Sequence, residues 1–266
     1  MESIEQMYYE NPEFWDGSLF TEEDHARLSF IASHLPQATK SICDVGCGNG
    51  LFLNFLANQH PELTLHGVDR SKAALKHVTV PKSIASITEL PFGEASFDTV
   101  SCLEVIEHLP EPQYRLALSE LARIAARYVV VSVPLNQDLR LGQVRCSACK
   151  TLFNPDYHFR SFAKSDMPAL LEPYGFRMTV CKSYGQSQEF ALSKLIMKLK
   201  ADFSNRFTVD IICPACGHTI AGRAKSDDGA SKNYNGINIK KYIKAAWPKI
   251  TIDRWVLAIY ERTNAA

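Results

Sequence analysis

Three sets of residues in this chain have types and spacings suited to chemistry. The segment L-E-V-I-E-H-L carries Glu104, Glu107 and His108. On a helical turn, their i, i+3, i+4 spacing puts two carboxylates and an imidazole on one face. Such a face can take a proton from an acceptor hydroxyl. A further imidazole, His158, stands in N-P-D-Y-H-F-R-S-F. The second set is thiols: Cys146 and Cys149 form one C-x-x-C pair, and Cys213 and Cys216 form another in C-P-A-C-G-H. Four thiolates suit a tetrahedral Zn²⁺ site, which would be structural because no coordination position stays open. His158 and His218 are alternative ligands, and surface thiols or a redox pair are the competing readings. The third set is the loop in I-C-D-V-G-C-G-N-G, residues 42–50.

The elements around that loop say what it holds. Ile42 to Val45 reads as a short buried strand, and Leu51 to Asn58 as the helix that follows, with Leu51, Leu53, Phe55 and Leu56 on its apolar face. Glycines between strand and helix allow a tight turn and a close approach of ligand to backbone. Such a unit in an α/β sheet is a nucleotide site. The dinucleotide spacing G-x-G-x-x-G would need glycine at 51, where Leu51 stands, and no G-K-S/T ending makes a phosphate loop. The pattern is Asp44-x-Gly46-Cys47-Gly48-Asn49-Gly50.

This pattern resembles motif I of class I S-adenosylmethionine-dependent methyltransferases (the type 11-like group). Further segments follow in the family's order: the strand in L-H-G-V-D-R-S ending at Asp69, the segment S-I-T-E-L-P-F-G-E-A-S-F-D-T-V at 86–100, and L-E-V-I-E-H-L-P at 103–110. The resemblance covers roughly residues 40 to 135. It implies a doubly wound, seven-stranded, Rossmann-like sheet whose seventh strand lies antiparallel beside the fifth. It also implies S-adenosylmethionine as cofactor, held by Asp44, Gly46, Cys47, Gly48, Asn49 and Gly50, with Asp69, Arg70 and Ser71 at the ribose. Ser86, Ile87 and Thr88 would flank the adenine, Ser86 standing where many relatives have Asp. Leu103 and Glu104 would also contact the cofactor. Upstream aromatics (Tyr8, Tyr9 and Trp15) would close over the cofactor or, equally, staple the first helix. The E-V-I-E-H segment is similar to that of ubiquinone-pathway O-methyltransferases and small-RNA 2′-O-methyltransferases. There the acids and histidine bind a divalent ion, so Mg²⁺ assistance at Glu104, Glu107, His108 and His158 is a second reading beside His108 as base.

Coarse strands are expected at Ser41–Val45, Leu63–Val68, Ser83–Ser86, Thr99–Leu103, Tyr128–Val133, Phe176–Tyr184 and Trp255–Glu261, with helical patterns at Gln113–Ala126 and Lys164–Glu172. Residues 1–39 read as N-terminal cap helices. Residues 40–134, 163–185 and 253–266 read as the α/β core, and 135–162 with 186–252 as insertions forming a small zinc-binding lid over the acceptor. A helix near 189–203 has Leu192, Leu195, Ile196, Leu199 and Phe203 on one face and lysines around it. It either packs on its own domain or touches a membrane, a lipid-linked acceptor or a partner. Residues 237–247 have similar character, and 225–236 read as a mobile loop.

Lys plus Arg number 29 and Asp plus Glu number 29, a balance that makes nucleic acid an unfavoured partner. The start, M-E-S-I-E-Q-M-Y-Y-E, lacks an apolar leader core, no apolar run of membrane length occurs, and the eight cysteines read as reduced thiols, so a cytoplasmic protein is expected. S-V-P-L-N-Q after the fifth strand is not the N/D-P-P-Y/F signature of base amino methylation. The expected acceptor is therefore the hydroxyl of a small molecule or a sugar, including a lipid-linked glycan. RNA 2′-O-methylation, protein methylation and a non-catalytic cofactor-binding scaffold are the alternatives. The sequence does not specify an oligomeric state.

Overall fold

The computed structural model describes residues 9–12, 15, 20–140, 143–190, 210–221 and 249–263. The chain forms two compact units. The first comprises Met1–Gln137, His158–Gly185 and Asp253–Ala266, and the second Asp138–Tyr157 and Gln186–Ile252.

The first unit is built on a seven-stranded sheet in the order β3-β2-β1-β4-β5-β11-β8. Its strands are β1 (Ser41–Val45), β2 (Thr64–Asp69), β3 (Lys82–Ile84), β4 (Phe97–Leu103), β5 (Ala125–Pro134), β8 (Phe176–Phe190) and β11 (Lys249–Arg262). β1 pairs in parallel with β2 and β4, β2 with β3, and β4 with β5. β11 lies antiparallel to β5, with Trp255 opposite Pro134 and Glu261 opposite Tyr128, as the resemblance implied.

Period-2 alternation sends each strand's residues to two cores. Val129, Val131 and Val133 of β5, with Val256, Ala258 and Tyr260 of β11, join one buried cluster; Val130, Leu257 and Ile259 join the other. Both faces of the sheet are therefore covered, which is why the central strands read as continuous apolar runs. Helix α1 (Glu22–Ser33) brings Leu28 and Ile31 to the second cluster, and α2 (Leu51–Gln59) brings Phe52, Leu53 and Leu56. A four-residue helix, α3 (Lys72–Leu75), follows β2. Helix α4 (Glu111–Ile124) sets Leu118, Leu121 and Ala122 on the first cluster. Burying one such leucine stabilises the fold by about 1.5–3 kcal/mol. A reciprocal capping box starts α1: Thr21 accepts from the Asp24 amide at 3.1 Å, and Asp24 accepts from the Thr21 amide at 3.1 Å.

Two helical expectations change. The pattern at Gln113–Ala126 begins earlier and ends at Ile124, because Ala125 already has extended backbone and opens β5. Lys164–Glu172 is not an α-helix. Its place is taken by 3₁₀ turns at Met167–Leu170 and Glu172–Tyr174, each with a proline in its first turn. Pro168 and Pro173 lack the amide that a continuous helix would need. The expected helix near 189–203 also begins differently, since Glu189 and Phe190 close β8; its remainder and the segments 225–236 and 237–247 lie outside the described residues. No helix among the described residues is long and apolar enough to cross a membrane.

The described part of the second unit holds two small antiparallel hairpins. β6 (Val144–Arg145) pairs with β7 (Leu152–Phe153), and β9 (Ile211–Ile212) with β10 (Thr219–Ile220). Each hairpin is a tight turn around one C-x-x-C pair.

Candidate active site

The glycine loop sits at the carboxyl end of β1. Gly46, Gly48 and Gly50 have φ of 76°, 54° and 77°, a region that side chains oppose. At Gly46 a Cβ would come within 2.4 Å of Val105 Cγ2, so the loop and the turn after β4 touch backbone to side chain. The amides of Gly46 and Cys47 both donate to the Val68 carbonyl, at 2.8 and 3.0 Å, which ties the loop to β2. Gly48 N donates to Asp69 Oδ2 at 2.8 Å, and Ser71 N to Asp69 Oδ1 at 2.8 Å. The carboxylate is thus fixed by both oxygens, each keeping acceptor capacity for a ligand hydroxyl. Burial pushes Asp69 above the usual carboxylate range against those two amides. Asp44 does not face solvent: it accepts from Ser101 Oγ at 2.6 Å, and burial pushes it up to about 7. It holds β1 to β4 from beneath the loop. Asn49 follows Gly48 in the turn, and Gly50 caps α2 without a side-chain bond.

The N-terminal segment reaches the same loops. Tyr9 O accepts from Ser71 Oγ at 2.8 Å and from Trp15 Nε1 at 2.7 Å. Trp15 lies 3.1 Å from where a Gly48 Cβ would be. The Arg70 guanidinium sits 5.6 Å from the Tyr9 ring. The Glu10 carboxylate accepts from the amides of Lys72 and Ala73, at 3.1 and 3.4 Å, capping α3. Ser86, Ile87 and Thr88 form a turn in which Ser86 Oγ bonds Thr88 Oγ1 at 2.8 Å, while Ile87 packs on the core. The Ser86 hydroxyl also accepts from the Thr88 amide at 3.2 Å. Leu103 packs on the second core cluster at the end of β4.

The acid–imidazole set is arranged differently from a helical face. Ile106–His108 is a 3₁₀ turn, and Glu104 precedes it with φ of 58°. Glu104 therefore swings away: Oε1 accepts from Ser132 Oγ at 3.1 Å and Oε2 from Trp255 Nε1 at 2.9 Å. Burial pushes its pKa to about 6. Glu107 instead gathers with His108 and His158, one ligand atom of each lying within 4.8 Å of the others. The His108 and His158 rings meet edge to face at 4.5 Å. Tyr9 Oη lies 3.5 Å from His108 Nδ1, and His158 Nδ1 bonds Gln137. Phe159 N donates to Glu107 O at 2.8 Å, which holds the two segments together. Glu107 is 1% exposed, and neither carboxylate oxygen has a hydrogen-bond partner among the described residues. Burial, then the neighbouring Glu104, push its pKa well above the usual range.

Sequence reading missed Arg27, Ser132, Tyr184 and Trp255. Arg27 lies close enough to the carboxyls of Asp44, Glu104 and Glu107 to favour their ionised forms. A cation beside Leu28 on the buried side of α1 was the available signal. Trp255 stands 151 residues from Glu104, and no local pattern announces that bond.

In the second unit the four thiols converge. Cys146 Sγ lies 3.7 Å from Cys216 Sγ, and Cys149 Sγ 3.6 Å from Cys213 Sγ. The two turns repeat one geometry: Cys146 N bonds Thr151 O and Lys150 N bonds Cys146 O, as Cys213 N bonds His218 O and Gly217 N bonds Cys213 O. Lys150 and Gly217 take matching positive φ, 65° and 71°. The His218 ring bonds Ser147 Oγ at 2.9 Å, and His158 belongs to the first unit beside His108. Hydrogen bonds from Thr151 draw Cys149 down to about 6; Cys216, despite the His218 backbone bond, is pushed up to about 12 by the neighbouring sulfurs.

A parallel sheet with an antiparallel seventh strand, a glycine loop after β1 and an acid after β2 define a nucleotide-binding methyltransferase core. The family model described as a methyltransferase domain matches residues 19–180, and the chain belongs to the class I S-adenosylmethionine-dependent methyltransferases. It is similar to the ubiquinone biosynthesis O-methyltransferase of Chromobacterium violaceum, 32% identical over 97 residues, covering 33% of this chain and 41% of that one. The enzyme of the same name from Xanthomonas euvesicatoria is 27% identical over 191 residues, covering 62% and 76%. The chain thus spans about two fifths of the first relative's length and about three quarters of the second's. Among solved structures, the YcgJ protein of Bacillus subtilis superposes with a TM-score of 0.52 at 15% identity, over 91% of this chain and 100% of that one; that likeness concerns the fold alone.

Proposed function

We propose that this chain transfers the methyl group of S-adenosylmethionine to a hydroxyl of a small-molecule acceptor. The observation that carries the reading is Asp69 locked onto Gly48 of a loop with three positive-φ glycines, an arrangement suited to a ribose diol lying against the loop backbone. The O-methyltransferases among its relatives support a hydroxyl acceptor. In the transfer, the acceptor oxygen forms a bond to the methyl carbon as the carbon–sulfur bond breaks, and the electron pair neutralises the sulfonium. The hydroxyl proton goes to the imidazole of His108, which Tyr9 and His158 orient. Acceptor-dependent formation of S-adenosylhomocysteine from a panel of phenols, catechols and sugars tests this. Activity abolished by His108→Ala with cofactor binding retained is expected; activity unchanged in that variant would contradict the assigned base. A sugar or lipid-linked glycan remains within the same acceptor class, and the panel separates it from aromatic alcohols.

A second reading is carried by Glu107. A buried carboxylate without partners, beside two imidazoles, is a donor set that a divalent ion would satisfy. Two nitrogens and one carboxylate suit a first-row transition ion better than the Mg²⁺ anticipated from sequence, and Glu104 is committed elsewhere. Loss of turnover on chelation, restored by Mn²⁺ or Zn²⁺ while the protein stays folded, is the result this reading expects. A chelator-insensitive rate would exclude it.

The four-cysteine set is proposed as a structural Zn²⁺ site. A Zn–S distance of about 2.3 Å puts tetrahedral sulfurs about 3.8 Å apart, close to the two separations found here. Four neighbouring thiols also cannot all ionise without a cation. One zinc per chain by elemental analysis is expected, falling in Cys149→Ser.

A further inference from the structure

We propose that Arg160 and Gln137 are positioning residues that fix the His158 imidazole against His108. This rests on the reading that His108 takes the acceptor proton, and it names what orients the pair. His108 ends the short turn after β4, whereas His158 is where the chain re-enters the first unit after Asp138–Tyr157. Residues 158–161 belong to no helix or strand, so no regular element sets the place of that ring. Yet the two rings meet edge to face at 4.5 Å, and Glu107 joins them. A contact between two loops needs fixings of its own, because an unheld loop samples many backbone and side-chain states.

One fixing is the backbone bond from Phe159 N to Glu107 O at 2.8 Å. Arg160 supplies the next. Its Nη2 donates to Leu109 O at 2.7 Å, its Nη1 donates to Glu111 Oε2 at 3.1 Å, and its guanidinium carbon lies 3.6 Å from the centroid of the Tyr114 ring. Leu109 directly follows His108 and Glu111 opens α4, so one planar cation spans the end of the turn and the start of the helix. Arg160 stands two residues from His158, and anchoring it here restrains the imidazole. Gln137 comes from the other side, just past the end of β5. Asn136 before it has φ of 52°, and its amide donates to Phe162 O at 2.7 Å, which brings the chain leaving β5 alongside the His158 segment. Gln137 Oε1 then accepts from His158 Nδ1. An amide oxygen only accepts, so Nδ1 carries the proton and Nε2 is the basic nitrogen of that ring. Arg160 thus sets where the ring lies, and Gln137 sets which nitrogen holds its proton. Displacing such a pair by about 1 Å lowers a rate by about 10²-fold.

Two-bond ¹H–¹⁵N spectra of the histidine side chains, recorded on the cofactor-free full chain and assigned from His108→Gln and His158→Gln, read both parts of the proposal. The parent is expected to show His158 as the Nδ1-protonated tautomer, with a cross-relaxation peak between the His108 and His158 rings. Gln137→Ala is expected to lose the single tautomer, and Gln137→Glu, which keeps an accepting oxygen, to restore it. Arg160→Ala is expected to lose the inter-ring peak with the far-ultraviolet circular dichroism unchanged. On a panel acceptor that the parent methylates, both alanine variants should lower kcat about tenfold or more while KM for S-adenosylmethionine changes less than about twofold. A lowered unfolding midpoint alone, with tautomer, inter-ring peak and kcat preserved, would reduce Arg160 and Gln137 to packing residues and overturn the proposal. Should Arg160→Ala not fold, Gln137→Ala, at a half-buried side chain, carries the test. Unchanged turnover in His108→Ala would overturn the proton-acceptor reading instead, a result distinct from the ring positions that the spectra decide.

Discussion

Asp69 shows how much a single side chain is asked to do. Both its oxygens are already oriented by amides, one from the loop after β1 and one from the turn after β2. Asp69→Ala should therefore weaken S-adenosylhomocysteine by about 1–3 kcal/mol while leaving the far-ultraviolet circular dichroism unchanged; unaltered binding would remove the ribose assignment. Glycines differ by context. Gly46→Ala combines a positive φ with a Cβ driven into Val105, and a loss of ~2–4 kcal/mol in denaturant unfolding is expected. Gly175 has φ of 80° but open space around it, so Gly175→Ala should cost only ~1–2 kcal/mol. Asp44 gives a pH signature. Its folded pKa, about 7, lies above its unfolded value, so between about pH 4 and pH 7 the native state keeps a proton that the unfolded chain has lost. Its contribution thus makes stability fall as pH rises through that window. Asp44→Asn should flatten the fall, with a gain on the order of 1–4 kcal/mol at pH 8 offset in part by the altered Ser101 bond. Unfolding curves at pH 5 and pH 8 would decide it.

At the scale of elements, the strands and the loop between β1 and α2 were legible, because buried parallel strands and positive-φ glycines both leave marks in residue type. Strand β1 occupies the residues anticipated, Ser41–Val45. The segment around Pro168 and Pro173 was misread because apolar spacing alone suggested a helix where missing amides forbid one. The turn after β4 was misread for a subtler reason. A short E-x-x-E-H run scans equally as α-helix or as a residue with reversed backbone followed by a 3₁₀ turn, and only the bonds from β5 and β11 decide between them. Those partners come from strands far along the chain, which is why Ser132, Tyr184 and Trp255 carried no signal. Helix α1 starts at the capping box of Thr21 and Asp24. Thr21→Ala should cost about 1 kcal/mol in chemical denaturation. No measurable change would mean the exposed box adds nothing to the packing of Leu28 and Ile31.

Across the whole molecule, one unit carries the glycine loop and the acid–imidazole set, and the other is organised around four cysteines. Cys149→Ser or Cys216→Ser should lower zinc content and expose the second unit to protease, while calorimetric binding of S-adenosylhomocysteine persists. Loss of cofactor binding in those variants would contradict the division. The acceptor is the least legible feature, since its pocket depends on how side chains from separated stretches assemble, not on a local motif. Methyl transfer to a hydroxyl of a small molecule is the proposed activity. Its most direct test is methyl-labelled S-adenosylmethionine incubated with the protein and an extract of the source cells, with the products fractionated by size and base stability. Label is expected in a low-molecular-weight, base-stable fraction and absent with Asp69→Ala. Label that is sensitive to ribonuclease or bound to protein, or no label above that variant despite intact cofactor binding in the parent, would contradict it.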